Sequence, residues 1–156
     1  MKITLLLVGK TTDKHLQALI DDYAERLKHY VSFEQKVIPE LKNAKSLSQA
    51  EQKQAEGDMI LKAVETSATL ILLDERGDEY RSIDFASQMQ KLLHGGKNIC
   101  FAVGGPYGFS ANVYQRADRM LSISKMTFSH QMIRLLFTEQ LYRAMTILKG
   151  EKYHHE

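Results

Sequence analysis

The sequence is short of several residue types, and each shortage narrows what the chain can be. It has one cysteine, two prolines and no tryptophan in 156 residues. A single cysteine makes no internal disulfide and no cysteine-based zinc site, so the fold must rest on its core, and the expected compartment is the reducing cytoplasm. His154 and His155 have no accompanying cluster of cysteine or carboxylate ligands, so no metal site is expected. Charge of one sign is scarce as well. The 21 Lys and Arg residues face 19 Asp and Glu, for a net charge of +2, which does not announce a nucleic-acid binder. No apolar run reaches the ~20 residues that cross a bilayer. The opening run, Ile3 to Val8, has no small-residue cleavage site after it and reads as a strand rather than a leader. Neither a dinucleotide fingerprint, a Walker A loop nor a nucleophile elbow occurs.

What remains is an ordinary globular composition, 44% hydrophobic and 26% charged, long enough to bury a core without staples. We expect one domain over residues 1–156. Apolar runs of strand length alternate with helical periods. Strands are expected at Ile3–Val8, Phe33–Ile38, Thr69–Leu73, Ile99–Val103 and Met120–Ile123. Between them, Leu16, Leu19, Ile20, Tyr23, Leu27 and Tyr30 share one helical face within residues 12–30. Ser48-x-x-Glu51 is a capping box for a second helix, with Met59, Ile60, Ala63 and Val64 on its apolar side. Ser82 is expected to cap a third that ends at Gly95-Gly96. A short helix near Asn112–Ala117 and a long one from about His130 to Lys149 complete the set. This alternation predicts an α/β fold, with a mostly parallel five- to six-stranded sheet and helices on both faces. The last helix is apolar too far around for a helix covered on one side: Ile133, Leu136, Phe137, Leu141, Ala144 and Leu148 form a stripe that Leu135, Tyr142, Met145 and Ile147 widen. A central place in the fold and a subunit contact both account for that, so a homodimer is expected.

Three stretches carry candidate chemistry. Val103 to Ser110 holds three glycines directly after a strand, where ligands of open α/β sheets collect; a plain tight turn accounts for the glycines equally well. Leu121 to His130 is rich in hydroxyls and leads into a helix N-terminus. It fits either a ligand's polar groups or simple capping by Ser129 or Thr127. The tail, Gly150 to Glu156, joins an aromatic ring, two imidazoles and a lysine, although terminal residues usually fray. The charge distribution adds a hint. Residues 1–99 hold 14 basic and 15 acidic groups, whereas residues 100–156 hold 7 and 4, so the positive excess sits with these stretches.

Together these residues resemble the RlmH-type family of large-subunit rRNA methyltransferases, small members of the SPOUT class. The resemblance spans essentially the whole chain. It rests on Leu72-Leu73-Asp74-x-x-Gly77, Phe101-Ala102-Val103-Gly104-Gly105-Pro106-x-Gly108, Leu121-Ser122-x-Ser124-x-Met126-Thr127-x-x-His130 and Glu139-Gln140-Leu141-Tyr142-Arg143-Ala144, with the closing Tyr153-His154. It implies a C-terminal trefoil knot, S-adenosyl-L-methionine as cofactor, and methylation at N3 of a pseudouridine in a 23S rRNA stem-loop of the ribosome by a cytoplasmic homodimer. Membrane and DNA partners are not implied. By position the cofactor contacts fall at Leu73, Gly104, Gly105, Ile123, Ser124, Lys125, Met126, Thr127 and Phe128. The catalytic set is His154 as base or orienter, Tyr153 as stacking group and Arg143 toward the RNA backbone or the tail. The tail departs from the family's usual Pro-Tyr-His-Arg: Lys152 stands for the proline and His155 for the arginine, so proline rigidity and a permanent phosphate-pairing fork are missing. A second reading is therefore a non-catalytic ribosome-binding or assembly factor on the same fold. A third is a nucleotide-binding α/β protein of another function, against which the missing phosphate loops count.

Overall fold

The computed structural model describes residues 1–156. Five strands form one sheet: β1 (Lys2–Val8), β2 (Ser32–Ile38), β3 (Thr69–Glu79), β4 (Ile99–Val103) and β5 (Arg119–Ser122). They lie in the order β2-β1-β4-β3-β5, and every neighbouring pair is parallel. Parallel strands need crossovers, which α1 (Lys14–Leu27), α2 (Gln49–Ala63), α3 (Ser82–His94) and α4 (Ala111–Arg116) help to supply; α5 (Met132–Leu148) follows the last strand.

Alternation along the central strands divides the core into two layers. Ile3, Leu5 and Leu7 of β1 and Ile99, Phe101 and Val103 of β4 pack with Ala24, Leu27, Phe85, Met89, Phe137 and Leu141, which belong to α1, α3 and α5. Leu6, Val8, Cys100 and Ala102 pack on the other face with Ile60, Phe109 and Val113, from α2 and the α4 region. The helices therefore cover both faces of a sheet whose central strands are mostly apolar where they are buried, as expected for a parallel sheet.

The local rules explain most boundaries. Asp13 caps α1 by accepting from the amides of His15 (2.8 Å) and Leu16 (3.0 Å). At the start of α2 the capping box is complete: Ser48 Oγ accepts from the Glu51 amide, and Glu51 Oε1 accepts from the Ser48 amide, both at 3.1 Å. Three details depart from expectation. Arg81, not Ser82, occupies the cap position of α3 and makes no side-chain cap, because Ser82 Oγ instead donates to Gln140 Oε1 on α5 at 2.9 Å. Leu19 is 49% exposed, since the buried line of α1 runs through Ile20, Ala24 and Leu27. β3 does not end at Leu73. Its pairing with β5 breaks there and resumes at Asp78, and Leu121 faces both, so Asp74 to Gly77 bulge out of the ladder. Gly77 lies so close to the β5 backbone that a Cβ would stand 2.6 Å from the Met120 carbonyl carbon; only glycine fits.

The last helix holds the largest departure. Its fully buried residues include Arg134, Thr138 and Thr146 beside Phe137 and Leu141, whereas Leu136 and Leu148 are only half-buried. The threonines are satisfied inside the helix: Thr138 Oγ1 donates to the Arg134 carbonyl at 2.6 Å and Thr146 Oγ1 to the Arg143 carbonyl at 2.7 Å. Arg134 crosses to the start of the chain. Its Nη2 donates to the Val8 carbonyl (3.0 Å), its Nη1 to the Gly9 carbonyl (2.9 Å) and Thr11 Oγ1 (3.0 Å), and its Nε to the His130 carbonyl (2.9 Å). Gln131 adds two bonds to the same segment, accepting from the Thr12 amide (2.9 Å) and donating to the Lys10 carbonyl (3.2 Å). The turn after β1 is thereby clasped to the start of α5.

Candidate functional site

At the carboxyl ends of β3, β4 and β5 lies a crevice of about 600 Å³, within the usual range of small-molecule sites. Its apolar wall includes Leu73, Val103, Phe109, Leu121, Ile123 and Ile133. Its floor is the turn Gly104-Gly105-Pro106-Tyr107-Gly108, closed by the Gly108 amide donating to the Gly105 carbonyl at 3.1 Å. Gly108 has φ +80°, a conformation that favours glycine. The rim opposite the turn is the segment Ile123 to His130.

A Cβ on Gly105 would not project into the crevice but toward Glu56 of α2, 2.5 Å from its Oε1. Glu56 is 5% exposed, and that oxygen has no hydrogen-bond partner; its other oxygen accepts from Gln52 Nε2 at 3.2 Å. Burial raises the Glu56 carboxyl above its ordinary value, the Gln52 bond opposes this, and the nearby charge of Glu40 adds to it.

The bulge of β3 supplies the polar side. Burial pushes the Asp74 carboxyl up, but hydrogen bonds from Tyr114 and the Arg76 amide, with the charge of Arg76, outweigh it and hold Asp74 below the usual range. Tyr114 donates its hydroxyl to Asp74 and accepts from Arg76 Nη2 at 2.6 Å, and the Arg76 guanidinium lies 5.0 Å from the Tyr114 ring centre. Glu75 accepts from Thr127 Oγ1 at 2.6 Å, joining the bulge to the rim. Sequence reasoning found Leu73 but missed this constellation, because the bulge that gathers it exists only once β5 is beside β3.

Of the expected cofactor residues, Leu73, Gly104, Gly105, Ile123, Ser124, Met126, Thr127 and Phe128 all line the crevice. Lys125 does not: its side chain is 88% exposed and lies 4.0 Å from Glu79. Neither expected residue occupies the cap position of α5, which is Gln131 and has no side-chain cap; Ser129 Oγ accepts from the Met132 amide at 3.0 Å just ahead of the helix, while Thr127 is engaged by Glu75.

The three expected catalytic side chains form a cluster of their own, outside the crevice. Arg143 Nη2 donates to Glu139 Oε1 at 2.6 Å, and its Nη1 stands 3.2 Å from His154 Nδ1. Tyr153 donates its hydroxyl to the same Glu139 oxygen at 2.9 Å and lies edge-on to Tyr142, ring centres 4.8 Å apart. Burial, then bonds to Tyr23 and Glu139, raise the Tyr153 phenol far above its ordinary value. Tyr30 donates to Glu151 at 2.7 Å, which with burial pushes its phenol up to about 12. Arg81 reaches Glu156 at 2.6 Å. The tail is thus bound down along α1, α5 and the start of α3 rather than frayed. Arg143 lies ten residues beyond Ile133 on α5, about 15 Å along the axis, so one chain does not bring the tail cluster and the crevice together.

The comparisons with known proteins agree with this geometry. Residues 1–154 match the family described as "Predicted SPOUT methyltransferase". Proteins named "Ribosomal RNA large subunit methyltransferase H" from Phocaeicola vulgatus and Bacteroides fragilis are each 55% identical over 157 residues, covering all of both chains. The protein of the same name from Flavobacterium johnsoniae is 50% identical with equal coverage. Among solved structures, a "probable methylase family protein" from Haemophilus influenzae Rd KW20 shares the fold at a TM-score of 0.54 and 15% identity, over 95% of this chain and 66% of that one. With its strand-end crevice and a match over nearly its full length, the chain belongs to the SPOUT methyltransferase family.

Proposed function

We propose that this enzyme transfers a methyl group from S-adenosyl-L-methionine to N3 of a pseudouridine in 23S rRNA of the ribosome, acting in the cytoplasm. The observation that carries this reading is the crevice itself. It has the volume for a nucleoside-sized cofactor, an apolar wall for a base, and a glycine floor whose backbone a ligand approaches closely. Full-length similarity to proteins named as large-subunit rRNA methyltransferases supports the choice of substrate. Leu73, Gly104, Gly105, Ile123, Ser124, Met126, Thr127 and Phe128 would hold the cofactor, largely through main-chain groups. Asp74, held ionised between Tyr114 and Arg76, suits hydroxyl donors of a ribose.

When bound, S-adenosylmethionine supplies an already activated methyl carbon, so the protein need not build a nucleophile. Its own residues must align the target nitrogen, exclude water and manage the departing proton. In this reading Arg143, held by Glu139, presents its guanidinium to an RNA phosphate. Tyr153 stacks or positions the nucleotide, and His154 orients or accepts from it. The enzyme works as a homodimer in which the tail cluster of one protomer faces the crevice of its partner. Two observations support that arrangement: the separation of cluster and crevice along α5, and the exposure of Tyr107, Met126 and Phe128 at the crevice, where Met126 is 76% exposed. The trefoil knot belongs to the same proposal, with the chain beyond β5 threaded to reach α5.

The test is incubation with methyl-labelled S-adenosylmethionine and ribosomes from a strain lacking the gene, followed by mapping of the label. Label at a pseudouridine N3 of large-subunit rRNA is expected. Absence of label together with absence of cofactor binding would overturn the reading in favour of a non-catalytic ribosome-binding factor.

A further inference from the structure

The crevice contains one imidazole. His130 sits on the rim just before α5, half-buried, and lines the cavity. Its ring nitrogens meet no partner within the chain, while its carbonyl is fixed by Arg134 Nε at 2.9 Å. The crevice carboxylates already hold partners within the chain: Asp74 accepts from Tyr114 and the Arg76 amide, and one oxygen of Glu75 accepts from Thr127. His154 lies in the tail cluster with Nδ1 against Arg143.

Building on the methyltransferase reading, we propose that His130 is the proton acceptor of the reaction. As the target nitrogen bonds to the methyl carbon, the bond from that carbon to sulfur breaks and its electron pair stays on sulfur. The N–H proton passes to the free imidazole nitrogen, leaving a methylated base, a neutral thioether and an imidazolium that returns its proton to water at the crevice mouth. His154 then acts as an orienting group. The charges around the ring suit this role. Burial and the buried cation of Arg134 hold His130 below its ordinary value of 6.5, with Glu40 opposing; Asp74, Glu75 and Arg76 face the crevice from the bulge. The ring is therefore neutral, and able to accept, at physiological pH. Its lowered basicity gives up some driving force but favours release of the proton after each turnover.

The experiment compares wild type, His130→Gln and His154→Gln as full-length proteins acting on unmethylated ribosomes in single turnover across pH 5–9. It also follows imidazole NMR signals in the complex with S-adenosylhomocysteine and a target stem-loop. His130→Gln is expected to slow transfer by roughly 10²–10⁴-fold, to abolish the rising limb of the pH profile and to leave cofactor affinity within about threefold. The His130 ring signals should shift on addition of RNA. His154→Gln should keep the rising limb. An active wild type with a His130→Gln variant of unchanged rate or unchanged limb would overturn the assignment of His130 alone. A wild type that transfers no methyl group would overturn the methyltransferase reading and this inference with it. His130→Asn, with urea midpoint and cofactor affinity measured alongside, separates loss of the acceptor from loss of the fold.

Discussion

Substituting Gly105 by alanine tests how the crevice floor is built. Gly105 has no positive φ, so alanine meets no backbone strain there and any cost is steric. Its Cβ would lie 2.5 Å from Glu56 Oε1 and 2.9 Å from both Cδ and Oε2, well inside the ~3.5 Å at which non-bonded heavy atoms come to rest. The obstructing atoms end a flexible side chain, but that chain is buried and yields only by repacking and stretching its bond from Gln52. Overpacking of this kind costs ~1–3 kcal/mol, and the flexibility of Glu56 places Gly105→Ala near the lower end, about 1–2 kcal/mol. Gly105→Val adds two methyl groups and belongs at the upper end. If Glu56 is the obstruction, Gly105→Ala in a Glu56→Ala background should cost less than ~0.5 kcal/mol, giving a coupling of about 1 kcal/mol in a double-mutant cycle. Urea denaturation with an unchanged m-value measures each corner, and calorimetry of S-adenosylmethionine binding shows whether the floor has moved. An equal cost of Gly105→Ala in both backgrounds would refute the clash and restore the simpler idea that the new Cβ occupies the crevice.

Other expectations follow from the same contacts. Arg134→Leu should destabilise by at least ~3 kcal/mol in urea, because it strands the buried carbonyls of Val8 and Gly9; Arg134→Lys should rescue only part, since an ammonium lacks the fork to reach all four acceptors. Glu56 binds its proton more tightly when folded, so its contribution is fully present below the ordinary value of 4.5 and is lost as pH rises through the raised native value. Glu56→Gln should flatten that fall in a stability–pH series, and an unchanged slope would contradict the assignment. Cys100 is buried, and burial pushes its thiol up to about 12. It should resist iodoacetamide in native protein and react upon unfolding, at a rate that mass spectrometry follows. Tyr153→Phe removes one of two side-chain bonds to Glu139 Oε1. It should loosen the tail, measured as faster amide exchange over residues 151–156, while leaving cofactor affinity unchanged.

The sheet was legible because a strand covered on both faces reads as a near-continuous apolar run, as Ile3–Val8 (broken only by Thr4) and Ile99–Val103 do, and because the capping chemistry of Ser48 and Glu51 is local. The crevice lining was legible by resemblance, and all of its expected residues except Lys125 meet there. The bulge after Leu73 was not legible, since Gly77 is required by the backbone of Leu121, more than forty positions away. Nor was the burial of Arg134. Three of its four acceptors, the Val8 and Gly9 carbonyls and the Thr11 hydroxyl, lie more than 120 residues away in sequence, and a helical pattern reads an arginine as solvent-facing. Of the tail's anchoring only the contact with Arg143 was foreseen; the rest was missed for the same reason, since Tyr23, Tyr30 and Arg81 lie far from it in sequence and meet it only after the helices dock.

The clasp of Arg134 spans 125 residues, and this orders events during synthesis. The turn after β1 leaves the ribosome well before the start of α5 is made. Loop closure over such a distance is slow relative to local helix and turn formation, so the crevice rim should be the last region to acquire protection from exchange. An unfinished chain then carries strands and helices but no closed crevice, which forms only as the final helix docks.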